Sequence, residues 1–352
     1  FNAYQAIQTY RYFLDDKYYA WNGSSLIAMG NPDLKWQQKR DYNIGLDVKL
    51  WDNRITIGGD FYIAKTNDLI STLTLPAANG FTTYIENIGS LKNTGYELRL
   101  SAYVLRKDQM SWSVSLAGIH NKNKIVEVSQ ALLDAQNAIE SEDLVNPNVQ
   151  FRPGYSSNTI WTVRSAGIDP GTGKEVFISR DGNRTYNWSA SDIVATGVSD
   201  PKLEGNISSM FRYKGLSLNV SFGYRFGGQI YNSTLANKVE VSKTAIGWNV
   251  DARVFHDRWK NIGDQASFKG LDDFTPTNKT SRFVQDETTF RCQNMTLQYE
   301  LKSQALNKLL GIDYCLFSAS TSDLFYISTV KRERGTSYPF SRQFSLGVNV
   351  VF

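Results

Sequence analysis

Between residues 206 and 226 apolar and polar side chains alternate on two segments joined only by Lys214-Gly215, and the alternation carries through the turn. On the second segment Leu216, Leu218, Val220, Phe222, Tyr224 and Phe226 share one face. Ser217, Asn219, Ser221, Gly223 and Arg225 share the other. A repeat of two is the repeat of a β-strand, and a two-residue link in which glycine supplies positive φ reads as a hairpin. That link sets Tyr213 opposite Leu216, Phe211 opposite Leu218 and Arg212 opposite Ser217. Apolar meets apolar and polar meets polar, so the register is self-consistent. The chain is thereby committed to antiparallel sheet with one apolar face.

The same test succeeds elsewhere. A turn at Asp52-Asn53 faces Leu50 with Ile55, Val48 with Ile57 and Ile44 with Phe61. Segments 95–104 and 111–119 keep Leu98, Leu100 and Val104 in phase with Trp112, Val114 and Leu116. A fourth pair, 291–301 and 312–320, brings Leu297 to Leu316 and Tyr299 to Tyr314. The chain closes on an alternating segment, 342–352, whose apolar face is Leu346, Val348, Val350 and Phe352. With a strand over 1–13 the set numbers ten. A further hairpin, 160–166 with 175–179 around Asp169-Pro170-Gly171-Thr172-Gly173, is expected to stand apart from it.

Connection lengths decide between a soluble sandwich and a membrane barrel. Short turns fall at 52–53, 105–110, 214–215 and 302–311, and long connections at 14–40, 67–93, 122–202, 227–288 and 321–341. The strict alternation puts every long connection at one end, which is the asymmetry of an outer-membrane barrel with tight periplasmic turns and long extracellular loops. No run approaches the ~20 apolar residues of a membrane helix, and the mean hydropathy of −0.37 is compatible with strands that alternate. Tyr 19, Phe 19 and Trp 8 would supply aromatic girdles at the two interfaces. Counting strands leaves Phe352 on the periplasmic side, in an expected all-β, antiparallel transmembrane β-barrel of about 10–12 strands in this portion.

An Arg on the lipid face at mid-membrane costs about 2–4 kcal/mol, so Arg99, Arg212 and Arg225 are expected to point inward with Asp47, Glu97 and Glu300. Leu46, Val48, Leu98, Leu218, Val220, Phe222, Val348 and Val350 are expected outward. A net charge of +4 gives no argument for nucleic acid. Cys292 and Cys315 lie too far apart on the expected register to form a disulfide. His120 and His256 read as loop or rim residues, and neither Asp15-Asp16 nor Asp272-Asp273 has the spacing of a calcium loop. Sequons such as Asn187-Trp188-Ser189 follow from an Asn/Ser/Thr-rich composition. No catalytic constellation, metal site or cofactor site emerges.

The ending built on Ser345, Gly347, Val350 and Phe352 resembles the C-terminal signal read by the bacterial barrel-assembly machinery. The connecting segments resemble the SusC-like (SusC/RagA-type) TonB-dependent transporters of Bacteroidetes outer membranes. Asn31-Pro32-Asp33-Leu34-Lys35-Trp36, followed by Asn43-Ile44-Gly45-Leu46-Asp47, is similar to that family's entry to a barrel hairpin. Asn87-Ile88-Gly89-Ser90-Leu91-Lys92-Asn93-Thr94-Gly95-Tyr96-Glu97-Leu98 is similar to another of its segments. Gly167-Ile168-Asp169-Pro170 with Gly173 and Asp181-Gly182, and Asp257-Arg258-Trp259-Lys260-Asn261-Ile262-Gly263-Asp264, resemble extracellular stretches. Asp323-Leu324-Phe325-Tyr326-Ile327 and Arg334-Gly335-Thr336-Ser337-Tyr338-Pro339 resemble the last extracellular loop.

The resemblance implies import of an oligosaccharide or a peptide through a barrel of about 22 strands with an N-terminal plug. Residues 1–352 would be the C-terminal portion of that barrel, the plug and first strands lying outside it. It also implies a SusD-like lipoprotein as lid, the TonB complex acting through the plug, the barrel-assembly machinery during biogenesis, and lipid and lipopolysaccharide as surroundings. Trp161, Trp188 and Trp248 then fall in extracellular regions, where they would stack on sugar rings or else pack within loops or against the lid. Arg99, Arg212 and Arg225 would bind substrate or else balance charge in a filled lumen. A glycan-binding adhesion module and a passive porin are the rival functions.

Overall fold

The computed structural model describes residues 5–18, 21–74, 80–81, 83–140, 150–240, 251–273, 275–331 and 342–352. In chain order the elements are β1 (Thr9–Tyr18), β2 (Trp21–Ala28), β3 (Gln38–Leu50), β4 (Ile55–Thr74), β5 (Thr83–Lys107), β6 (Met110–Val128) and helix α1 (Gln130–Glu140). Four short strands follow: β7 (Thr159–Ile168), β8 (Glu175–Ile178), β9 (Arg184–Thr185) and β10 (Ile193–Val198). The remainder is β11 (Leu203–Tyr213), β12 (Leu216–Tyr231), β13 (Val284–Leu301), helix α2 (Gln304–Leu310), β14 (Tyr314–Ser322), β15 (Tyr326–Ser328) and β16 (Gln343–Val351).

One antiparallel sheet of ten strands dominates, ordered β16-β14-β13-β12-β11-β6-β5-β4-β3 with β15 attached to β13. Its edges are β3 and β16, so the sheet is open among the described residues. Hairpin registers agree with the alternation: Leu50 faces Ile55 and Ile44 faces Phe61, while Tyr213 faces Leu216 and Phe211 faces Leu218. Strand β16 pairs with β14 from Tyr314–Val351 to Ser322–Gln343. Glycine at position 215 is required for a reason other than the turn's φ. Lys214 is the left-handed residue, at φ 50°, while a Cβ on Gly215 would collide with the Glu300 carbonyl of the next hairpin.

Three expectations are corrected. Of the 1–13 segment, residues 1–4 lie outside the described residues, and the rest adds no strand to the main sheet: among the described residues β1 pairs with β2 alone, in a two-stranded sheet. Trp21–Ala28 offers it a nearer partner within what reads as a loop, and the tenth strand is β15 instead. The turn at 302–311 is helix α2, ended by Gly311 at φ 68°. A helical link does not fix register as a tight turn does, and the pairing is displaced by three residues, Leu297 to Ala319 and Tyr299 to Phe317. Leu316 thereby joins Glu300 on the opposite face. Finally, strand extends into 67–93 from both sides, β4 as far as Thr74 and β5 from Thr83: they run for 20 and 25 residues, twice what a membrane crossing takes. Their backbones stay paired above the span because pairing needs no apolar side chains.

The two faces of the sheet have opposite character. Ile44, Leu46, Leu346 and Val348 are 79%, 69%, 88% and 64% exposed on the outer face, and Leu218, Val220 and Phe222 on that face are partly buried. Burying one such side chain gains about 1.5–3 kcal/mol, so an apolar face of this extent in water is a large violation; in lipid it is the required surface. The buried apolar cores lie elsewhere, at the long-connection end. One joins Trp161, Val163, Phe177 and Ile193; the other joins Ala236, Val239, Phe268 and Phe283. The expected extra hairpin is there: β7 and β8 pair within a four-stranded sheet ordered β10-β7-β8-β9. Among the described residues no helix is long and apolar enough to cross a membrane.

Candidate functional site

Period two collects the polar side chains of nine adjacent strands on the inner face of the main sheet. Over β3–β6 the result is a cavity of about 610 Å³ whose lining includes Lys39, Asp41, Asp60, Glu97 and Arg99. Asp60 and Glu97 stand directly opposite one another, a like-charge pair that is unfavourable by itself. Arg99 offsets it, with Nη2 2.6 Å from Asp60 and Nη1 3.9 Å from Glu97. Lys39 pairs with Asp41 at 2.9 Å. Asn93 ties the wall together by accepting from Asn121 and Asn123, and Tyr62 donates to Asn121.

A second cavity, about 580 Å³, lies over β11–β13 and includes Glu204, Arg225, Glu287, Arg291 and Tyr326 in its lining. Arg225 pairs with Glu287 at 3.1 Å and donates to the Ser199 carbonyl at 2.5 Å. Glu204 and Arg291 are exposed on the same wall and form no ion pair with a described residue. Beyond them β13, β14 and β16 present Thr296, Gln298, Ser318, Ser320 and Ser345 around a hydroxyl- and amide-lined cavity of about 350 Å³.

Of the residues singled out from sequence, Arg99 and Arg225 line the two larger cavities, each in an ion pair. Arg212 lies beside the β11–β12 turn, opposite Ser217 and Ser111. Trp161 is only 6% exposed; its ring meets Tyr155 edge-on and its Nε1 donates to the Gln150 carbonyl at 3.1 Å. Trp188 is half-buried against the same core, with Lys279 Nζ 6.0 Å from its ring centroid. Trp248 lies outside the described residues. Ser345 and Gly347 fall on the inner face of β16, opposite Ser320 and Ser318. Val350 and Phe352 fall in the outer phase, Phe352 with an exposed ring. His120 is on β6 with Nδ1 2.7 Å from the Lys202 carbonyl, and Cys292 and Cys315 are free thiols.

Arg291 escapes the simple alternation because a bulge intervenes. Ser221 pairs with Asn294 but Phe222 with Cys292, so the extra residue inverts the phase of everything before it. Glu287 lies before the same bulge and is hidden with Arg291, while Asp60 carries no signal beyond period two.

The connecting motifs turn out to be clasps between connections. Asn87 accepts from the Lys35 N–H at 2.7 Å and donates to the Lys35 carbonyl at 3.0 Å, so the 31–36 and 87–98 segments hold each other. Asn31 is buried and donates to the Ile85 carbonyl at 3.0 Å. In the second clasp the Pro170 carbonyl accepts from the Trp259 indole at 2.8 Å and the Gly263 N–H at 2.9 Å. Gly173, at φ 69°, lies flat on the Trp259 ring where any Cβ would collide. Asp169 accepts from Thr172, the Gly171 N–H and Tyr186, and these bonds hold its carboxyl below the usual range.

A buried charge cluster locks the same region. Arg282 bridges Glu175, at 2.8 Å, and Glu240, joining β8 to the connection between β12 and β13. Burial works against the Arg282 charge, but the carboxylates of Glu240 and Glu175 outweigh it and raise its pKa. Arg258 is buried beside them and donates to the Lys269 and Val239 carbonyls at 2.8 and 2.6 Å. Among the described residues no group of His, Cys, Asp and Glu could hold a metal ion.

Residues 1–235 match the family described as "TonB dependent receptor-like, beta-barrel". Among curated relatives, the chain is 23% identical to TonB-dependent receptor P39 of Formosa agariphila, over 94% of this chain and 37% of that protein. It is 26% identical to TonB-dependent receptor SusC of Bacteroides thetaiotaomicron, over 97% of this chain and 34% of that protein. It superposes on the RagAB peptide importer in its closed-closed state with a TM-score of 0.78, at 24% identity, covering 98% of this chain and 38% of the other. The chain thus spans little more than a third of the length of these relatives.

Proposed function

The chain belongs to the TonB dependent receptor-like β-barrel family, with SusC among its relatives, and on that premise we propose that it forms part of the wall and the cell-surface loops of an outer-membrane import channel. The observation that carries this reading is the inversion of the main sheet: apolar side chains exposed outside, ion pairs and amides inside. A sheet buried in its own protein has no use for that distribution, whereas a wall between lipid and an aqueous lumen requires it. The family is one of receptors and transporters, not of enzymes.

On this reading the short turns and Phe352 face the periplasm, and the clasped connections face the cell exterior. A SusD-like lipoprotein would cap that surface, and TonB would act through an N-terminal plug. The cargo is a polar oligomer. Charges and amides dominate the two larger inner cavities, and among the described residues no tryptophan lines either of them, which favours a peptide over a neutral oligosaccharide. Glu204 and Arg291 offer one free charge of each sign to a zwitterionic chain.

The test is uptake of a labelled peptide mixture and of labelled oligosaccharides by cells carrying the full-length receptor, with and without TonB. Import is expected to require TonB, and Glu204→Gln with Arg291→Gln is expected to lower it without lowering receptor abundance in the outer membrane. Uptake that persists without TonB would establish a passive porin instead. Binding without uptake would establish an adhesion module.

A further inference from the structure

Four cations stand side by side on the outer face of the sheet. Arg40 on β3 pairs directly with Lys65 on β4, Lys65 with Lys92 on β5, and Lys92 with Lys124 on β6. All four share the phase of the outward apolar side chains, Arg40 with Ile44 and Leu46, and Lys92 with Leu98. All four are exposed, and none forms an ion pair with a described residue. Lys122, two positions along β6, and Lys202 at the entrance to β11 are exposed beside Lys124.

Like charges directly opposite one another on neighbouring strands are destabilising, and this row contains three such contacts in succession. The inner face shows how the protein treats the same problem elsewhere, with Arg99 placed against Asp60 and Glu97. Among the described residues no carboxylate forms an ion pair with the outer row. Asp200, which shares a cavity lining with Lys124, and Glu127, three residues along β6, meet the neutral donors Ser156 and Asn158 and Ser90 instead. The row keeps an excess of positive charge that anions of the surroundings can offset.

The height of the row identifies them. Below Arg40 on the same face of β3 come Tyr42, Ile44, Leu46, Val48 and Leu50. From Tyr42 to Leu50 is about 27 Å along the strand, or about 21 Å along the barrel axis at a tilt of about 40°. That is close to the ~25 Å apolar band of an outer-membrane barrel. The short turn at 51–54 marks one boundary of the band, so the cationic row marks the other, where head groups lie. Tyr42 and Tyr96 are exposed just beneath it, as a girdle at a lipid–water boundary would be. With strands about 4.8 Å apart the row is about 14 Å wide, enough to meet more than one phosphate.

We propose that Arg40, Lys65, Lys92 and Lys124 form a binding site for the phosphate groups of lipid head groups in the leaflet surrounding the long-connection end. The site rests on the outer-membrane placement proposed above and adds a specific lipid contact to it. Bound phosphate relieves the three repulsive contacts and ties β3, β4, β5 and β6 together at the rim.

The test uses the full-length receptor purified in detergent, with diphosphorylated lipid A, the same lipid stripped of phosphate, and inorganic phosphate as separate probes. The wild-type protein is expected to bind the phosphorylated lipid at least tenfold more tightly than the stripped one, and more weakly as salt is raised. The combination Arg40→Gln, Lys65→Gln, Lys92→Gln and Lys124→Gln is expected to remove that preference. Arg40→Lys with Lys65→Arg, Lys92→Arg and Lys124→Arg is expected to keep it, as is the inner-face control Lys39→Gln. Equal binding of the two lipids by the wild-type protein overturns the proposal without any variant. So does inorganic phosphate that binds as tightly as the lipid. Recovery of the receptor outside the outer-membrane fraction would refute the placement itself, whereas a receptor in that fraction without phosphate preference refutes the lipid site alone.

Discussion

Replacing Arg282 by leucine removes the only cation that bridges Glu175 and Glu240 among the described residues. The side chains of Glu175 and Glu240 are 3% and 1% exposed, so water cannot take over the role of the guanidinium. Breaking a buried ion pair from one side costs about 3–5 kcal/mol. At 1.4 kcal/mol per factor of ten, the open population of the connected loops should rise by about two to three and a half orders of magnitude. The loss is local, because Arg282 joins β8 to the connection ahead of β13 and touches no inner-face residue of β3–β6. Amide hydrogen exchange on the full-length receptor should therefore accelerate over 159–198 and 251–283 while β3–β6 keep their protection. Adding Glu175→Gln and Glu240→Gln should recover part of the loss by removing the stranded charges. Unchanged exchange in the single variant, or acceleration spread equally over the wall, would refute the view that the triad is a lock confined to the surface loops.

Gly173→Ala combines a left-handed backbone with a collision against the Trp259 ring, and should weaken the clasp by more than the ~1 kcal/mol that backbone strain alone costs; faster protease nicking of 167–173 would show it. Asp169 has a carboxyl pKa held down by its hydrogen bonds in the folded protein. The stability it adds is therefore present above the ordinary value of about 3.9 and lost as pH falls through the folded value. Clasp protection should be equal at pH 7 and 5 and decline below about pH 4, and Asp169→Asn should flatten that decline. Phe352→Ala should lower the amount of folded receptor in the outer membrane, measured by quantitative blotting, more than it lowers uptake per folded molecule.

Much of the wall was legible because each hairpin carries two independent signals that must agree. At 213–216 and 50–55 the turn fixes a register, and apolar matching across the strands confirms it. Legibility failed where one signal was absent. Helix α2 replaced a tight turn between β13 and β14, and the register slipped by three residues. The bulge near Gln293 inverted the phase of Arg291 and hid it from any count by twos. The surface connections were harder still, since Glu175, Glu240 and Arg282 lie up to 107 residues apart in sequence and no local pattern links them. Trp161 shows the limit for site prediction. A tryptophan in a long loop reads more readily as packing than as a platform, but only the surrounding Val163, Phe177 and Ile193 show which core its ring joins.

The disposition of charge follows from what lies on each side of the wall. Inside, a carboxylate or guanidinium can be balanced by another strand, and the structure does so at Arg99 with Asp60 and at Arg225 with Glu287. These pairs leave Glu204 and Arg291 as the exposed charges of the second cavity, available to whatever passes. Outside, over the apolar band, no charge is tolerated, and from Tyr42 to Leu50 the outer phase of β3 has none. At the upper boundary the rule reverses within one step of the alternation, from Tyr42 to Arg40. A row of like charges there is destabilising by itself and relieved by anions, so its stability depends on which lipid surrounds it. That dependence separates the row from the apolar band beneath: any bilayer would satisfy Leu46 and Val348, but only an anionic rim satisfies Arg40, Lys65, Lys92 and Lys124 together.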